Sequence, residues 1–261
     1  MSRNHLNWMA PLGLMLVLAV VWEAAVRALA IPAYLLPAPS AIASAAVEDA
    51  GSILRNAGIT MAEAACGFTI ANLVSFCLAV VLVHSPLLEK AVMPWAIALK
   101  TTPVIAVAPL LTLWLKTGFA SKVVASGLIC FFPVLVNATL GLRSVDPDAL
   151  DLFASLSASR WQVFWHLRLP GSLPYVFSAL KISSSLSVVG AIVGEFVGSN
   201  RGLGYQILSS YNQMETPMMF ACIAASALGG ILFFGVIGAI EGQVLRWQHA
   251  GQELASFHHL H

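Results

Sequence analysis

Charge is what this sequence has least of. Of its 261 residues, 10% are Asp, Glu, Lys or Arg, against roughly 25% in an ordinary soluble domain. Apolar residues make up 59%, and the mean hydropathy is +0.84. So few charges cannot cover the surface of a soluble domain of this size. An ordinary soluble enzyme is excluded, and so is a disordered chain. The 13 basic and 12 acidic residues leave a net charge of +1, which offers no basic footprint for nucleic acid. Cysteine pairing is missing as well. Cys66, Cys77, Cys130 and Cys222 each stand alone inside apolar runs, and none are at C-x-x-C spacing. That excludes a secreted disulfide scaffold and speaks against zinc, leaving small packing residues as the reading.

The common catalytic signatures are absent. There is no G-x-x-x-x-G-K-[ST] and no Gly-Lys dipeptide, so the chain carries no standard phosphate loop for ATP. H-E-x-x-H and G-x-S-x-G are missing too. His258, His259 and His261 cluster near the C-terminus, where a solvated tail is a simpler reading than a metal site. No internal repeat stands out.

What the chain does have is long runs without any charge, at 4–22, 64–88, 123–142 and 216–240. Each is close to or above the ~18–20 residues that cross a bilayer as a helix. Two further apolar stretches hold isolated charges: 92–115 contains Lys100, and 174–197 contains Lys181 and Glu195. Six spans are expected, near 9–29, 60–83, 93–115, 121–142, 174–197 and 217–241. The run 28–47 is also uncharged, but Pro32, Pro37 and Pro39 argue for a loop there. The first span reads as retained rather than cleaved. Ala28-Leu29-Ala30 mimics a cleavage site, but the apolar run is long and Glu23 and Arg27 intervene. The fold class is an all-α polytopic membrane protein. It is one domain over 1–261, with a core at about 60–242, an extra N-terminal span at 9–29 and a charged loop at 143–170.

That loop is the most informative segment, with Arg143, Asp146, Asp148, Asp151, Arg160 and Arg168. Asp146-Pro147 offers an N-cap and a Pro at the first helical position. Ala149, Leu152, Phe153 and Leu156 form an apolar stripe. Ser157-Ala158-Ser159 then interrupts the helix, and Ser159 with Gln162 fits a capping box. Trp161, Phe164, Trp165 and Leu167 follow until Pro170 closes the second helix. Two short amphipathic helices joined by a tight corner are expected. Helix physics leaves two roles open for them, a hairpin lying on lipid and a docking element for a soluble partner. With 143–170 on the cytoplasmic side, both termini are cytoplasmic. Arg3, Lys90, Arg143, Arg160, Arg168 and Arg246 are then inside, against Arg27, Arg55, Lys116, Lys122 and Arg201 outside. The positive-inside bias in this orientation is slight.

Within the spans, Gly190, Gly194, Gly198 and Gly202 recur every fourth residue and read first as a helix-packing strip. Span three carries Pro94, Pro103 and Pro109, with Thr101-Thr102 before the middle one. A broken helix is tolerated in a membrane where the freed backbone faces protein or water. Lys100, Thr101, Thr102, Pro103 and Glu195 are the candidates for a translocation path. Snorkelling to an interface is the plainer alternative for Lys100. Lys181 and Glu195 are too far apart to pair, and Glu23 and Glu63 lie near span ends.

Residues 151–170, DLFASLSASRWQVFWHLRLP, resemble the cytoplasmic "EAA" loop of permease subunits of bacterial ABC importers, roughly E-A-A-x3-G-x9-I-x-L-P. Asp151 takes the Glu position, Leu167 the Ile position, and Leu169-Pro170 the closing pair. Ser157 stands where the family has Gly. Leu36-Pro37-Ala38-Pro39-Ser40, Gly67-Phe68, Thr102-Pro103-Val104 and Ala108-Pro109-Leu110 are similar to signatures of the taurine, sulfonate and nitrate branch. Its L-W-F-G appears as Leu113-Trp114-Leu115-Lys116, and Glu63 replaces an Arg common near the start of span two. GLRSVDPDALDL (141–152) and VGAIVGEFVGSNRGLGYQIL (189–208) look most like the sub-branch for thiamine-precursor pyrimidines and riboflavin.

The resemblance implies a non-enzymatic permease in the bacterial inner membrane. It implies a homodimer with a second copy, two ATPase subunits that hold the ATP and Mg, and a periplasmic or lipid-anchored solute-binding protein. No cofactor is implied for this chain itself. It assigns the ATPase contact to Asp151, Leu152, Phe153, Leu156, Ser157, Ser159, Arg160, Trp161, Phe164, Leu167, Leu169 and Pro170. A pyrimidine thiamine precursor or riboflavin-like solute is expected, with sulfonate, taurine or nitrate as alternatives. An ion-gradient-driven secondary transporter would need an inverted repeat, which the sequence does not display, and a membrane scaffold would need no solute.

Overall fold

The computed structural model describes residues 3–246, with side chains from residue 13 onward. His258, His259 and His261 lie outside the described residues. Helices account for every regular element described. They are α1 (Arg3–Ala28), α2 (Pro39–Glu48), α3 (Ala50–His84), α4 (Pro86–Thr101), α5 (Val104–Leu115), α6 (Phe119–Arg143), α7 (Pro147–Ser155), α8 (Arg160–Val163), a π-helical turn (Phe164–Arg168), α9 (Leu169–Phe196), α10 (Leu203–Asn212) and α11 (Thr216–Val244).

Four helical stretches are long and apolar enough to cross a membrane: Ala50–His84, Phe119–Arg143, Arg160–Phe196 and Thr216–Val244. The α4–α5 pair makes a fifth if counted as one broken span. The 26 residues of α1 supply the length for a sixth, about 39 Å at 1.5 Å per residue. This is the expected all-α polytopic fold.

Four local expectations need correction. Residues 39–48 form α2 rather than loop. Pro39 sits at the start of that helix, where its missing N–H costs nothing. The second span starts at Ala50 rather than near 60, because its first turns lie at the end of the bundle, where Arg55 is tolerated. Span three is two helices crossing at 97°. Thr102 is extended ahead of Pro103, as the Pro ring requires of its predecessor. Finally, Pro170 does not end the helix that starts at Arg160. In the π-helical turn the Leu169 N–H donates five residues back to the Phe164 carbonyl. This wider turn accommodates Pro170, and a 37-residue rod runs on to Phe196.

The core lies where α3, α6 and α9 meet. Small residues let these backbones approach. A Cβ on Gly190 would come 2.6 Å from Ser126 Cα, and one on Gly194 3.1 Å from Lys122 Cα. The glycine strip therefore faces α6 of the same chain. Gly198 lies past the end of α9 against Thr117. Hydrogen bonds cross the same seam. Ser126 Oγ donates to the Ser187 carbonyl (2.9 Å), Ser75 Oγ to the Phe131 carbonyl (2.8 Å) and Ser183 Oγ to Asn72 Oδ1 (3.1 Å). Cys130 and Cys222 are buried in the packing, whereas Cys66 and Cys77 are exposed on α3. Lys181 pairs with Glu241 at 2.6 Å and ties α11 to α9. Glu23, at the end of α1, caps α2: it accepts the Ser40 N–H (3.0 Å) and Oγ–H (2.8 Å) and pairs with Arg27.

Gly190→Ala should destabilise the chain by about 1–3 kcal/mol, the usual cost of overpacking a tight core. Gly230, with open space at its Cβ position, is the control. Gly230→Ala should stay within about 0.5 kcal/mol. Thermal unfolding of the purified chain in detergent checks both.

Candidate functional site

The 143–170 segment forms one end of the bundle. Asp146 Oδ1 accepts the Asp148 N–H at 3.0 Å and starts α7, with Pro147 at its first position. At the other end of α7, Ser157 N–H donates to the Ala154 carbonyl (2.9 Å) and Ala158 N–H to the Phe153 carbonyl (3.0 Å). This is the paired bonding that closes a helix through a left-handed residue. Ser157 is that residue, at φ +55°. The chain keeps the sharp corner with Ser in place of Gly. The same happens at Lys116, in the other stretch lacking a family Gly, where φ is +64°.

Past the corner, Ser159 Oγ accepts the Gln162 N–H while Gln162 Oε1 accepts the Ser159 N–H. The capping box opens α8 as expected. Arg168 donates to the Leu142 carbonyl at 3.0 Å, and Arg143 pairs with Glu89, fastening the segment to α6 and α4.

The expected contact residues separate into two groups. Leu152, Leu156, Trp161 and Trp165 are exposed, Leu156 at 70%. Asp151, Ser157, Ser159 and Arg160 are exposed as well. Phe153, Leu167, Leu169 and Pro170 are half-buried. Phe164 is buried in a core cluster with Leu82, Leu135, Leu142 and Val176. It is an anchor within this chain, and no periodic pattern could tell that face from the exposed one.

The candidate path residues also separate. Lys100, Thr101, Thr102 and Pro103 sit together, exposed, at the 97° break. The Lys100 ammonium lies 4.8 Å from the centroid of the Phe132 ring. Both threonine hydroxyls donate to the Ala98 carbonyl at 2.9 Å.

Glu195 lies elsewhere, 1% exposed, in a network that joins α3, α6, α9 and α10 at the end of the bundle opposite α7. Its Oε2 accepts the Gly204 N–H (2.5 Å), and its Oε1 accepts from Thr60 Oγ1 (2.6 Å). Thr60 Oγ1 accepts the Leu203 N–H (2.8 Å), and Asn56 Oδ1 accepts the Gly202 N–H (2.9 Å). The free donors at the start of α10 thus meet a carboxylate, a hydroxyl and an amide. A carboxylate there also suits the helix dipole. Gly202, at φ +98°, leaves no room for a Cβ beside Glu195.

Two further ionisable side chains are buried here, Glu63 of α3 and Lys122 of α6, near enough to Glu195 to act on it electrostatically. Lys122 also donates to the Thr117 carbonyl at 3.1 Å. Lys122 is fully buried, so it does not belong with the loop cations. Sequence reasoning missed Asn56, Thr60 and Lys122. The available signal was the polar stripe Ser52, Asn56, Thr60, Glu63, one face of α3 at helical spacing. A polar cavity of about 510 Å³ opens beside this network, among Ser52, Arg55, Asn56, Arg201 and Gln206. Among the described residues, no group of three His, Cys, Asp or Glu is placed to hold a metal.

Residues 50–246 match the family described as "Binding-protein-dependent transport system inner membrane component". The formylaminopyrimidine transport permease protein of Halalkalibacterium halodurans is 34% identical over 249 residues, covering 95% of this chain and 99% of that protein. The riboflavin transport system permease protein of Chloroflexus aurantiacus is 33% identical over 252 residues, covering 95% and 94%. A putative aliphatic sulfonates transport permease protein of Bacillus subtilis is 28% identical over 251 residues, covering 95% and 91%. Among solved structures, a chain of the inward-facing MetNI methionine ABC transporter superimposes with a TM-score of 0.60. It is 17% identical, with 75% of this chain and 95% of that chain covered. That likeness is one of fold.

Substitutions at two positions probe the geometry. Thr60→Val should cost about 1–3 kcal/mol by stranding the buried Leu203 N–H, while Thr60→Ser should recover most of it. Ser157→Gly should gain about 1 kcal/mol, the relief of the left-handed φ less the larger chain entropy of Gly. Both are read from the unfolding midpoint of the purified chain.

Proposed function

The chain belongs to the binding-protein-dependent transport system inner membrane components, and on that premise we propose that two copies pair as a homodimer and work with two ATPase subunits. In this reading the ATPases hold ATP and Mg and carry out hydrolysis, and this chain performs no bond chemistry. A periplasmic or lipid-anchored binding protein delivers the solute to the end of the bundle bearing α10. The α7 end and both termini face the cytoplasm.

The carrying observation is the exposed apolar face of α7, Leu152 and Leu156, set on a stiff corner at the foot of the Arg160–Phe196 rod. Apolar side chains held there, beside Asp148 and Asp151, suit burial in a groove of a soluble partner. Closure of the ATPases on ATP then moves the permease halves as near-rigid bodies. Lys100, Thr101, Thr102 and Pro103 line the path between the copies. An exposed cation at a break in an apolar span belongs against water or protein rather than lipid. Glu195 serves instead to hold α10, as its buried hydrogen bonds indicate.

The proposed solute is a pyrimidine thiamine precursor or a riboflavin-like heterocycle. Its support is the pair of relatives named for formylaminopyrimidine and riboflavin transport, alike across nearly the whole chain. A sulfonate solute is the second reading, favoured by the 28% identical relative named for aliphatic sulfonates.

Leu156→Glu should abolish solute uptake and ATPase capture, at least tenfold each, while membrane insertion and the unfolding midpoint stay unchanged. Normal uptake in this variant contradicts the docking role. Phe164→Asp should instead lower the amount of folded chain, because Phe164 is buried. For the solute, vesicles reconstituted with the whole importer should accumulate formylaminopyrimidine or riboflavin. Accumulation of an aliphatic sulfonate alone points to the second reading.

A further inference from the structure

A second apolar feature lies beside the corner, and no residue of α7 contributes to it. It is a cleft of about 520 Å³ lined by Val80, Val81, His84, Ser85, Arg160 and Trp161. Its walls are the last turns of α3, a membrane span that ends at His84. The cleft therefore sits at the His84 end of that candidate span. Trp161 and Trp165 are exposed with ring centroids 6.0 Å apart. Indoles of this kind favour the headgroup level of a membrane.

Arg160 stands at the rim without an ion pair or side-chain hydrogen bond. The ion pairs among the described residues join Arg27 to Glu23, Arg143 to Glu89 and Lys181 to Glu241. His84 gives its Nδ1 to the Val80 carbonyl at 2.7 Å and packs its ring on Phe164, which fixes the cleft floor to the buried anchor of the coupling segment. An unpaired cation over apolar walls, at the depth of a headgroup, complements one kind of occupant: a phosphate joined to an acyl chain.

We propose that this cleft binds an anionic phospholipid, with its phosphate on Arg160 and an acyl chain along Val80 and Val81. The 143–170 segment then divides at Ser157. The α7 side meets the soluble partner, and the α8 side rests on lipid. The lipid site goes beyond the importer reading and does not depend on it, since it concerns the isolated chain in a bilayer; only the role of the α7 side rests on that reading.

The test uses the full chain reconstituted in phosphatidylcholine vesicles. Dibrominated phosphatidylglycerol or dibrominated phosphatidylcholine is added as a minor component to quench indole fluorescence. The Trp161 signal is the difference between the chain and its Trp161→Phe variant. Phosphatidylglycerol should quench that signal about fivefold more effectively, the enrichment expected from one cation near the surface. Arg160→Gln should abolish the preference. Equal quenching by both lipids, or a preference that survives Arg160→Gln, overturns the proposal. Native mass spectrometry gives a reading that does not need Trp161→Phe to fold. The chain should retain phosphatidylglycerol and Arg160→Gln should not, and equal retention overturns the proposal. A loss of ATPase capture by Arg160→Gln in lipid-free detergent, with no lipid preference in vesicles, assigns the cleft to the soluble partner and also overturns it.

Discussion

The close approach of α6 and α9 is the constraint on which the rest of the molecule depends. Gly190 and Gly194 bring the α9 backbone against Ser126 and Lys122. The Ser126–Ser187 and Cys130–Ser183 hydrogen bonds then lock the two helices in register. In a membrane, lipid tails are as apolar as the helices, so packing and hydrogen bonds must supply the association. This seam braces α9 against α6. Because the π-helical turn carries the helix through Pro170, the rod extends without a break to Arg160. In the proposed mechanism a push delivered at the corner beside α7 travels along this rod to Phe196.

What waits at the far end of the rod is the start of α10. Glu195 sits in the last turn of α9 and holds the Gly204 amide, while Thr60 and Asn56 of α3 hold those of Leu203 and Gly202. Displacing α9 relative to α3 means breaking or dragging these bonds, which are buried and so costly to leave unmade. The two ends of the bundle are thus mechanically connected through one helix. Ser157 lies at the foot of that helix, and Lys116 lies between α5 and α6. Ser157 and Lys116 both hold a positive φ where the family resemblance has Gly, so the backbone path is retained and the local cost is borne by the side chain.

Much of this was legible in the sequence, and what was not has physical reasons. Spans without charge betray themselves, because lipid tolerates no alternative. The caps at Asp146 and Ser159 were equally plain, since each depends on residues within one turn. The start of α3 at Ala50 was hidden because Asp49 and Arg55 resemble loop residues until the helix is known to project beyond the apolar run. Pro39 and Pro170 misled for opposite reasons. One begins a helix, and the other is absorbed by a wider turn that only tertiary packing of Phe164 explains. The Glu195 network has a readable half, the stripe from Ser52 to Glu63, but its partners come from α10, more than 140 residues away in the chain.

The proposed mechanism requires the Arg160–Phe196 rod to move as one piece. Spin labels at Gln162→Cys and Asn200→Cys, with Cys66 and Cys77 replaced by Ser, bracket it. Double electron–electron resonance in the assembled importer, without nucleotide and then with trapped ATP, measures the distance between them. The distance distribution within one chain should be the same in both states, while the distance between equivalent labels in the two copies changes. A shortened intrachain distance on ATP binding, meaning that the rod folds at the π-helical turn, would contradict it.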